Sequence, residues 1–454
     1  MQSDTMVHDL TRGPLTKQII LYSAPLVLAN LLQTLYNLVD LAIVGQVVGS
    51  VGVSAVSIAG QITFLLYALG IGLGSGTQIL ISQQVGSGSL DKVKRTIGTS
   101  LTATLVLAAA VLALGLMFMH PLLKLLQTPD EAMTDAIQYM FWCCLGIPFT
   151  YGYGSLCAVL RGMGDSKRPM YIIAIAAVTN VVLDLWLVWG LGMRAKGAAI
   201  ATSCAQLLSF LFALVYLYRH RDTFGFDFKL KSFRVDRHIL STICSLSAPL
   251  AFMTISINIS MMFVNAWVNA YGVVASAVSG IGTKLYGVAN IITSAMQTAE
   301  ATVTGQNIAA KKLDRVRSSM LISFLICMVY WVLLSAICLL FPKAIFGLFD
   351  QDPEVLDLAG YYMWVQVVMF LSFCTMTIPI GFINGIGNVK LNFVIAIADG
   401  VVARIGLSLL LARVFGMGLY GYWWASSLAG FVSTIWGWLY YFFGNWKDRR
   451  LLVD

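Results

Sequence analysis

The stretch Gln33-Thr34-Leu35-Tyr36-Asn37-Leu38-Val39-Asp40 lies inside an otherwise apolar run from Ile19 to Val44. A run of that length spans a bilayer as a helix. On such a helix Gln33, Tyr36, Asn37 and Asp40 fall at i, i+3, i+4 and i+7 and share one face. A carboxylate inside the hydrocarbon is costly unless it faces protein, water or an ion. The rest of the chain must therefore supply partners for Asp40.

The composition places that helix among many others. The 454 residues are 58% hydrophobic and only 11% charged, with a mean hydropathy of +0.81, which excludes an ordinary soluble globular protein. No stretch is large and polar enough for a soluble domain. The first apolar run is too long for a signal-peptide core and lacks a small-residue cleavage site, so it is expected to be retained. The net charge of +8 comes from short loops between apolar runs, so it reads as membrane topology and not as a nucleic-acid surface. The eight cysteines lie in or beside apolar segments without metal-ligand spacing, apart from the adjacent Cys143-Cys144, and read as packed thiols. No cofactor is implied.

Twelve spans are expected, at roughly 17–44, 52–82, 96–119, 133–160, 169–191, 197–218, 238–269, 274–304, 317–341, 355–384, 391–413 and 418–443. The loops after the even-numbered spans, with both termini, hold Lys92, Lys94, Arg95, Arg161, Lys167, Arg168, six bases from Arg219 to Arg237, Lys311, Lys312, Arg315, Lys447, Arg449 and Arg450. The opposite loops are poor in bases and carry acids such as Asp130, Glu131, Asp350 and Asp352. This pattern predicts a multi-pass plasma-membrane protein with both termini cytoplasmic.

The chain also repeats itself. Ser23-Ala24-Pro25-Leu26 recurs as Ser247-Ala248-Pro249-Leu250, Leu90-Asp91-Lys92 as Leu313-Asp314-Arg315, Gly162-Met163-Gly164 as Gly385-Ile386-Gly387, and Gly192-Met193 as Gly416-Met417, always 223 or 224 residues apart. Six spans per unit is an even number, so both units enter the membrane the same way. The fold class expected is an all-α polytopic membrane protein, twelve transmembrane helices in two six-helix lobes related by a pseudo-two-fold along the membrane normal. The expected division is an N-terminal lobe 1–218, a cytoplasmic linker 219–237 and a C-terminal lobe 238–454.

Depth selects partners for Asp40. Asp40 lies five residues before Gly45, Asp184 six before Gly190, and Thr202 five after Gly197. At about 1.5 Å per residue all three sit roughly 8–9 Å inside the same end of their helices. Asn180 is one turn from Asp184 on the same face. Asp40, Asn180, Asp184 and Thr202 are therefore the candidate cation-coupling cluster, with oxygens suited to a monovalent ion such as Na⁺ or to a shared proton. The repeat does not duplicate it: the equivalent positions hold Phe263 or Val264, Leu407 or Ser408, and Arg404 in place of Asn180. The alternative is that the aspartates are packing groups bonded to Asn and Thr neighbours.

The second half carries Lys284, Asp399 and Arg404 within its spans, expected to neutralise one another as a structural network, with a coupling site as the alternative. Glu300, the weaker member of this secondary charged network, lies near the cytoplasmic end of span 8, within reach of the headgroup region. Span 7 has Asn258, Met262, Asn265 and Asn269 along one stripe, suited to a cavity wall or to interhelix contacts. With Gln33, Tyr36 and Asn37, the residues Asn258, Met262 and Asn265 are the substrate candidates. Pro25 and Pro249 each remove a backbone hydrogen bond early in a span and permit a bend.

With these features in hand, the whole chain resembles the multidrug and toxic compound extrusion (MATE) family of cation-coupled antiporters. The resemblance rests on the twelve spans in two lobes, on Leu35-Tyr36-Asn37-Leu38-Val39-Asp40-Leu41-Ala42-Ile43-Val44-Gly45, and on Gly305-Gln306-Asn307 before a basic loop. Members with an N-lobe cation site place an Asp in helix 1, an Asn and Asp one turn apart in helix 5 and a Thr in helix 6, matching Asp40, Asn180, Asp184 and Thr202. Gln33 and Tyr36 match positions near that site, and Pro25 a proline associated with bending of the first helix. Members with a C-lobe site carry an acid in helix 7, which span 7 here lacks, so the weight moves onto Asp40 and Asp184. The resemblance implies a non-enzymatic exporter of organic, often cationic and amphipathic compounds, driven by inward H⁺ or Na⁺ flow, which the chain is expected to perform as a monomer among membrane lipids.

Three other readings compete. A flippase for lipid-linked sugars would need several cationic residues to hold pyrophosphate, and the spans offer only Lys284 and Arg404. A membrane enzyme would need a catalytic constellation near one surface, and neither a buried His nor a paired-acid loop motif is present. A receptor or scaffold fits the hydropathy but leaves the acid cluster without a purpose.

Overall fold

The computed structural model describes residues 8–221, 226–449 and 451–452; residues 222–225 of the expected linker lie outside the described residues. Over the described residues the protein is all-α, a polytopic membrane protein with twelve long helices. They are α1 (Leu15–Val48), α2 (Ser50–Gly86), α3 (Leu90–Leu125), α4 (Asp130–Gly162), α5 (Lys167–Asp184, continued by a wider turn Leu185–Gly190) and α6 (Arg194–Arg219). The second six are α7 (Arg237–Asn269), α8 (Val273–Ala309), α9 (Leu313–Leu340), α10 (Pro353–Gly385), α11 (Val389–Val414) and α12 (Leu419–Phe443).

Ten of these are long and apolar enough to cross a membrane by composition alone. The other two, α8 and α12, have identifiable reasons for falling short. Helix α8 is rich in Ser, Thr, Asn and Gln and carries Lys284 and Glu300, and α12 is loaded with Trp, Tyr, Gly and Ser. Several helices outrun their apolar cores. Helix α3 starts at Leu90 and not near 96, because backbone hydrogen bonding continues through a charged first turn in which Lys94 pairs with Asp91 at 3.1 Å.

The chain folds as two compact units. The first comprises Ala24–Ala251 with residues 8 and 9, and the second comprises Leu10–Ser23 with Phe252 onward. In the first unit α4 is the central rod, packed on α2, α3 and α6; in the second α10 takes that place, against α8, α9 and α12. These two are the most buried of the ten apolar spans. Each approaches a neighbour at the same position. A Cβ on Gly162 would lie 2.8 Å from Gln78 O, and one on Gly385 would lie 2.7 Å from Ala301 O. Small residues allow this backbone approach in a membrane, where hydrophobic driving force between helices is absent. Both rods end alike, with Gly164 and Gly387 at positive φ and the next residue's N–H returning to Leu160 O and Ile383 O.

The segment after residue 225 docks on the first unit. Phe226 is buried edge-on between Phe228 and Phe233 and packs with Ile97 and Val93 of α3. Thr102 Oγ1 donates to Phe233 O at 2.8 Å and Asp236 N to Thr99 Oγ1 at 3.1 Å. Gly98 makes room for it: a Cβ there would fall 1.8 Å from Ser232 O. Gly98→Val is expected to expel this segment, losing roughly 2–3 kcal/mol from Phe226 burial. The open form would then rise by about 30- to 150-fold, read as faster proteolysis within residues 226–236.

In the second unit the Gly305-Gln306-Asn307 motif ends α8 and holds the segment leading into α1. Leu10 N donates to Gln306 Oε1 at 2.9 Å, and Arg315 donates to Gly13 O, Leu10 O and Gln18 Oε1 at 2.9–3.1 Å while its Nε bonds Asn307 Oδ1. The motif is a receptor for this chain's own backbone. Helix α1 stays helical through Pro25.

Candidate functional site

Three helices of the first unit bring the cluster together. Helix α5 supplies Asn180 and Asp184 one turn apart, with Asp184 the last residue before the backbone widens into the turn Leu185–Gly190. Helix α6 supplies Thr202, whose Oγ1 lies 3.3 Å from Asn180 Nδ2. With the amide turned the other way, Nδ2 donates to Asp184 Oδ2 at 3.3 Å and the amide oxygen accepts from Thr202 N and Oγ1 at 3.3 Å. That orientation satisfies more groups. Helix α1 supplies Asp40, whose carboxyl meets that of Asp184 within hydrogen-bonding reach. Asn180 and Asp184 are 1% and 0% exposed and Asp40 9%.

Two carboxylates have four acceptor oxygens and no donor between them. Their contact is therefore stable only when a proton or another cation sits between them. Asp40 Oδ1 and Asp184 Oδ1 are both buried without a hydrogen-bond partner, and buried polar atoms are seldom left so. The arrangement offers oxygen ligands for one small cation. The ligand atoms are carboxylate, amide and hydroxyl oxygens, which suit H⁺ or a hard monovalent ion better than a soft transition metal.

Residues that the sequence did not place beside Asp40 surround the pair. Tyr139 and Cys143, at i and i+4 on α4, lie within electrostatic reach of Asp40. Tyr67 on α2 donates to Cys143 O at 3.3 Å. The i, i+4 spacing is available in sequence, but nothing in an apolar span says which face meets α1. Of the polar face on α1, Tyr36 is half-buried beside the Gln33 side chain, while Gln33 and Asn37 are exposed.

In the second unit the charged residues separate into unconnected places. Asp399 and Arg404 pair at 3.4 Å and are almost wholly buried. Lys284 is exposed on α8 and takes no part. Glu300 is 1% exposed, which corrects the expectation that it reaches the headgroups: Oε1 accepts from Thr304 at 2.8 Å and Ser319 at 2.9 Å, and Oε2 from Ser323 at 2.8 Å. A single network of Lys284, Glu300, Asp399 and Arg404 is therefore not formed. The physical reason is azimuth, since depth along a helix does not say which way a side chain points. On α7, Asn258 is half-buried and returns its amide to Thr254 O at 2.8 Å, Met262 is half-buried, and Asn265 and Asn269 are exposed.

Comparison with known proteins bears on the whole chain. The family model described as MatE matches residues 25–186 and 249–410, one segment in each half. The chain is 27% identical over 455 residues to the probable multidrug resistance protein YoeA of Bacillus subtilis (strain 168), covering 99% of this chain and 98% of that one. It is 26% identical over 363 residues to a protein of Shewanella oneidensis named FAD transporter, covering 79% of each. A solved structure described as the outward-facing conformation of a multidrug resistance MATE family transporter of the MOP superfamily shares the fold, with a TM-score of 0.91 and 23% identity over 99% of this chain and 100% of that one. With both halves matched in register, the chain belongs to the MatE family of multidrug and toxic compound efflux transporters.

Proposed function

We propose that this protein is a secondary antiporter that exports organic, cationic and amphipathic compounds in exchange for H⁺ or Na⁺, with Asp40, Asn180, Asp184 and Thr202 as the coupling site. The observation that carries the reading is the buried contact of two carboxyls with orphaned oxygens, present in one repeat and absent from the other. A duplicated feature serves the scaffold, whereas this one was kept in one half only. The pair changes its net charge when it takes up a cation, and a change of charge in a low-dielectric site biases the position of α1. A cation and a drug that favour opposite conformations are then coupled through one equilibrium. Gln33, Tyr36, Asn37, Asn258, Met262 and Asn265 are the side chains proposed to meet substrate, and Pro25 the point at which α1 bends. The charge asymmetry of the loops supports cytoplasmic termini in the plasma membrane. The proposed working unit is the monomer.

Efflux of a fluorescent organic cation from proteoliposomes tests the reading. An imposed pH gradient or Na⁺ gradient is expected to drive export, and the ionophore that collapses it to stop export. Export indifferent to both gradients would overturn antiport.

A further inference from the structure

The two halves share a backbone register at the ends of α5 and α11. Leu191 N donates to Trp186 O and Phe415 N to Leu410 O, both at 2.9 Å; Met193 N donates to Leu187 O at 3.0 Å and Met417 N to Leu411 O at 3.1 Å. Each pair is offset by 224 residues, as are the two matched family segments. In that register Ser408 stands where α5 has Asp184, Arg404 where it has Asn180, and Val264 of α7 where α1 has Asp40. Neither carboxylate of the coupling cluster is repeated. The second unit has another instead, Asp399, five residues before Arg404.

On an ordinary α-helix, residues five apart point about 140° away from one another. Helix α11 widens over Ala398–Ala403, and the extra residue per turn swings the two side chains toward one face. The equivalent stretch of α5 is regular helix. A wide turn inside a helix is uncommon and tends to mark a functional position. Here it assembles a pair with unfilled valences. Arg404 Nη2 is 3.4 Å from Asp399 Oδ1, with side chains 2% and 0% exposed, and Ser433 Oγ of α12 donates to Asp399 Oδ2 at 2.7 Å. Arg404 Nε, Asp399 Oδ1 and Ser408 Oγ are buried without hydrogen-bond partners. From α7, Ser260 donates to Gly400 O. From α8, Tyr286 is the titratable side chain close enough to feel both charges.

We propose that the second unit carries its cation covalently: the Arg404 guanidinium holds, opposite Asp399, the place that an exchangeable H⁺ or Na⁺ takes in the first unit. The chain then has one exchangeable cation site and one permanently filled counterpart, so only the first unit changes charge during transport. Removing the guanidinium turns Asp399, Ser408 and Ser433 into a second exchangeable site. The comparison with the first unit rests on the coupling reading above, so the test silences that cluster first.

Thermal unfolding of the full chain in detergent is followed against Na⁺ concentration and pH in an Asp40→Asn/Asp184→Asn background. There the outcome does not depend on whether the first cluster couples transport. The parent midpoint is expected to be flat in Na⁺. Adding Arg404→Met is expected to make the midpoint rise with Na⁺ or with falling pH, with a slope of about one cation per molecule. Adding Asp399→Asn as well abolishes that response, and Tyr286→Phe leaves it in place. A folded Arg404→Met variant whose midpoint is as flat as the parent's overturns the proposal. If Arg404→Met gives no folded protein, recovery by Asp399→Asn supports the proposal, because the unpaired carboxylate is then the lesion. Failure of both variants overturns it, because Arg404 must then do something other than neutralise Asp399.

Discussion

Asp184→Asn is expected to lower gradient-driven efflux by about 10- to 100-fold, while the protein still inserts and folds. The loss follows from the contact between the two carboxyls. An asparagine amide donates a permanent hydrogen bond to Asp40, so the contact no longer requires a cation and no longer reports whether one is bound. Folding survives because the substitution is nearly isosteric and removes one buried carboxyl from a site 0% exposed. Replacing a buried charge by a satisfied neutral group is commonly neutral or stabilising. The measurement compares efflux of an organic cation by wild type and variant at equal reconstituted amounts, under a pH gradient and separately under a Na⁺ gradient. Facilitated, uncoupled movement down the substrate's own gradient should persist in the variant. Wild-type rates under both gradients would make the cluster a packing feature, and attention would pass to the rest of the polar face on α1.

Much of this site is legible in the sequence. Asp40, Asp184 and Thr202 stand out by equal depth from helix-ending glycines, and Asn180 by lying one turn from Asp184, because a helix rises uniformly along its length. The repeat adds the asymmetry. What stays hidden is azimuth and local backbone. Nothing in sequence marks the wide turns at Leu185–Gly190 and Ala398–Ala403, and the second of these decides that Asp399 and Arg404 share a face. Tyr139 and Cys143 are invisible because a tyrosine and a cysteine in an apolar span are ordinary. Charge within one unit groups Lys284 with Asp399 and Arg404, although Lys284 is exposed.

Depth misplaces Glu300 for the same reason, and that residue carries the second large effect. Its partners Ser319 and Ser323 come from α9, and serines in an apolar helix usually bond their own backbone. Here Thr304, Ser319 and Ser323 all donate to one carboxyl at 2.8–2.9 Å. That cluster ties α8 to α9, and Gly381 of α10 sits against it, where an added Cβ would lie 3.0 Å from the Cβ of Glu300. Glu300→Ala removes the acceptor from the buried hydroxyls of Thr304 and Ser323, leaves Ser319 Oγ with Val316 O at 2.9 Å, and opens a cavity. At about 1 kcal/mol for each of the two orphaned hydroxyls, with a further ~1–2 kcal/mol for lost packing, destabilisation of roughly 3–4 kcal/mol is expected. The readouts are a fall in the yield of monodisperse protein and a lower unfolding midpoint. Glu300→Gln keeps an acceptor for two of the hydroxyls and should recover most of the yield. The decisive comparison is transport by the Gln variant. If the cluster is a structural clasp, Glu300→Gln couples efflux to its gradient as wild type does, in contrast to Asp184→Asn. If Glu300→Gln folds normally yet loses coupling, Glu300 belongs to the ion pathway and the second unit is not electrically passive.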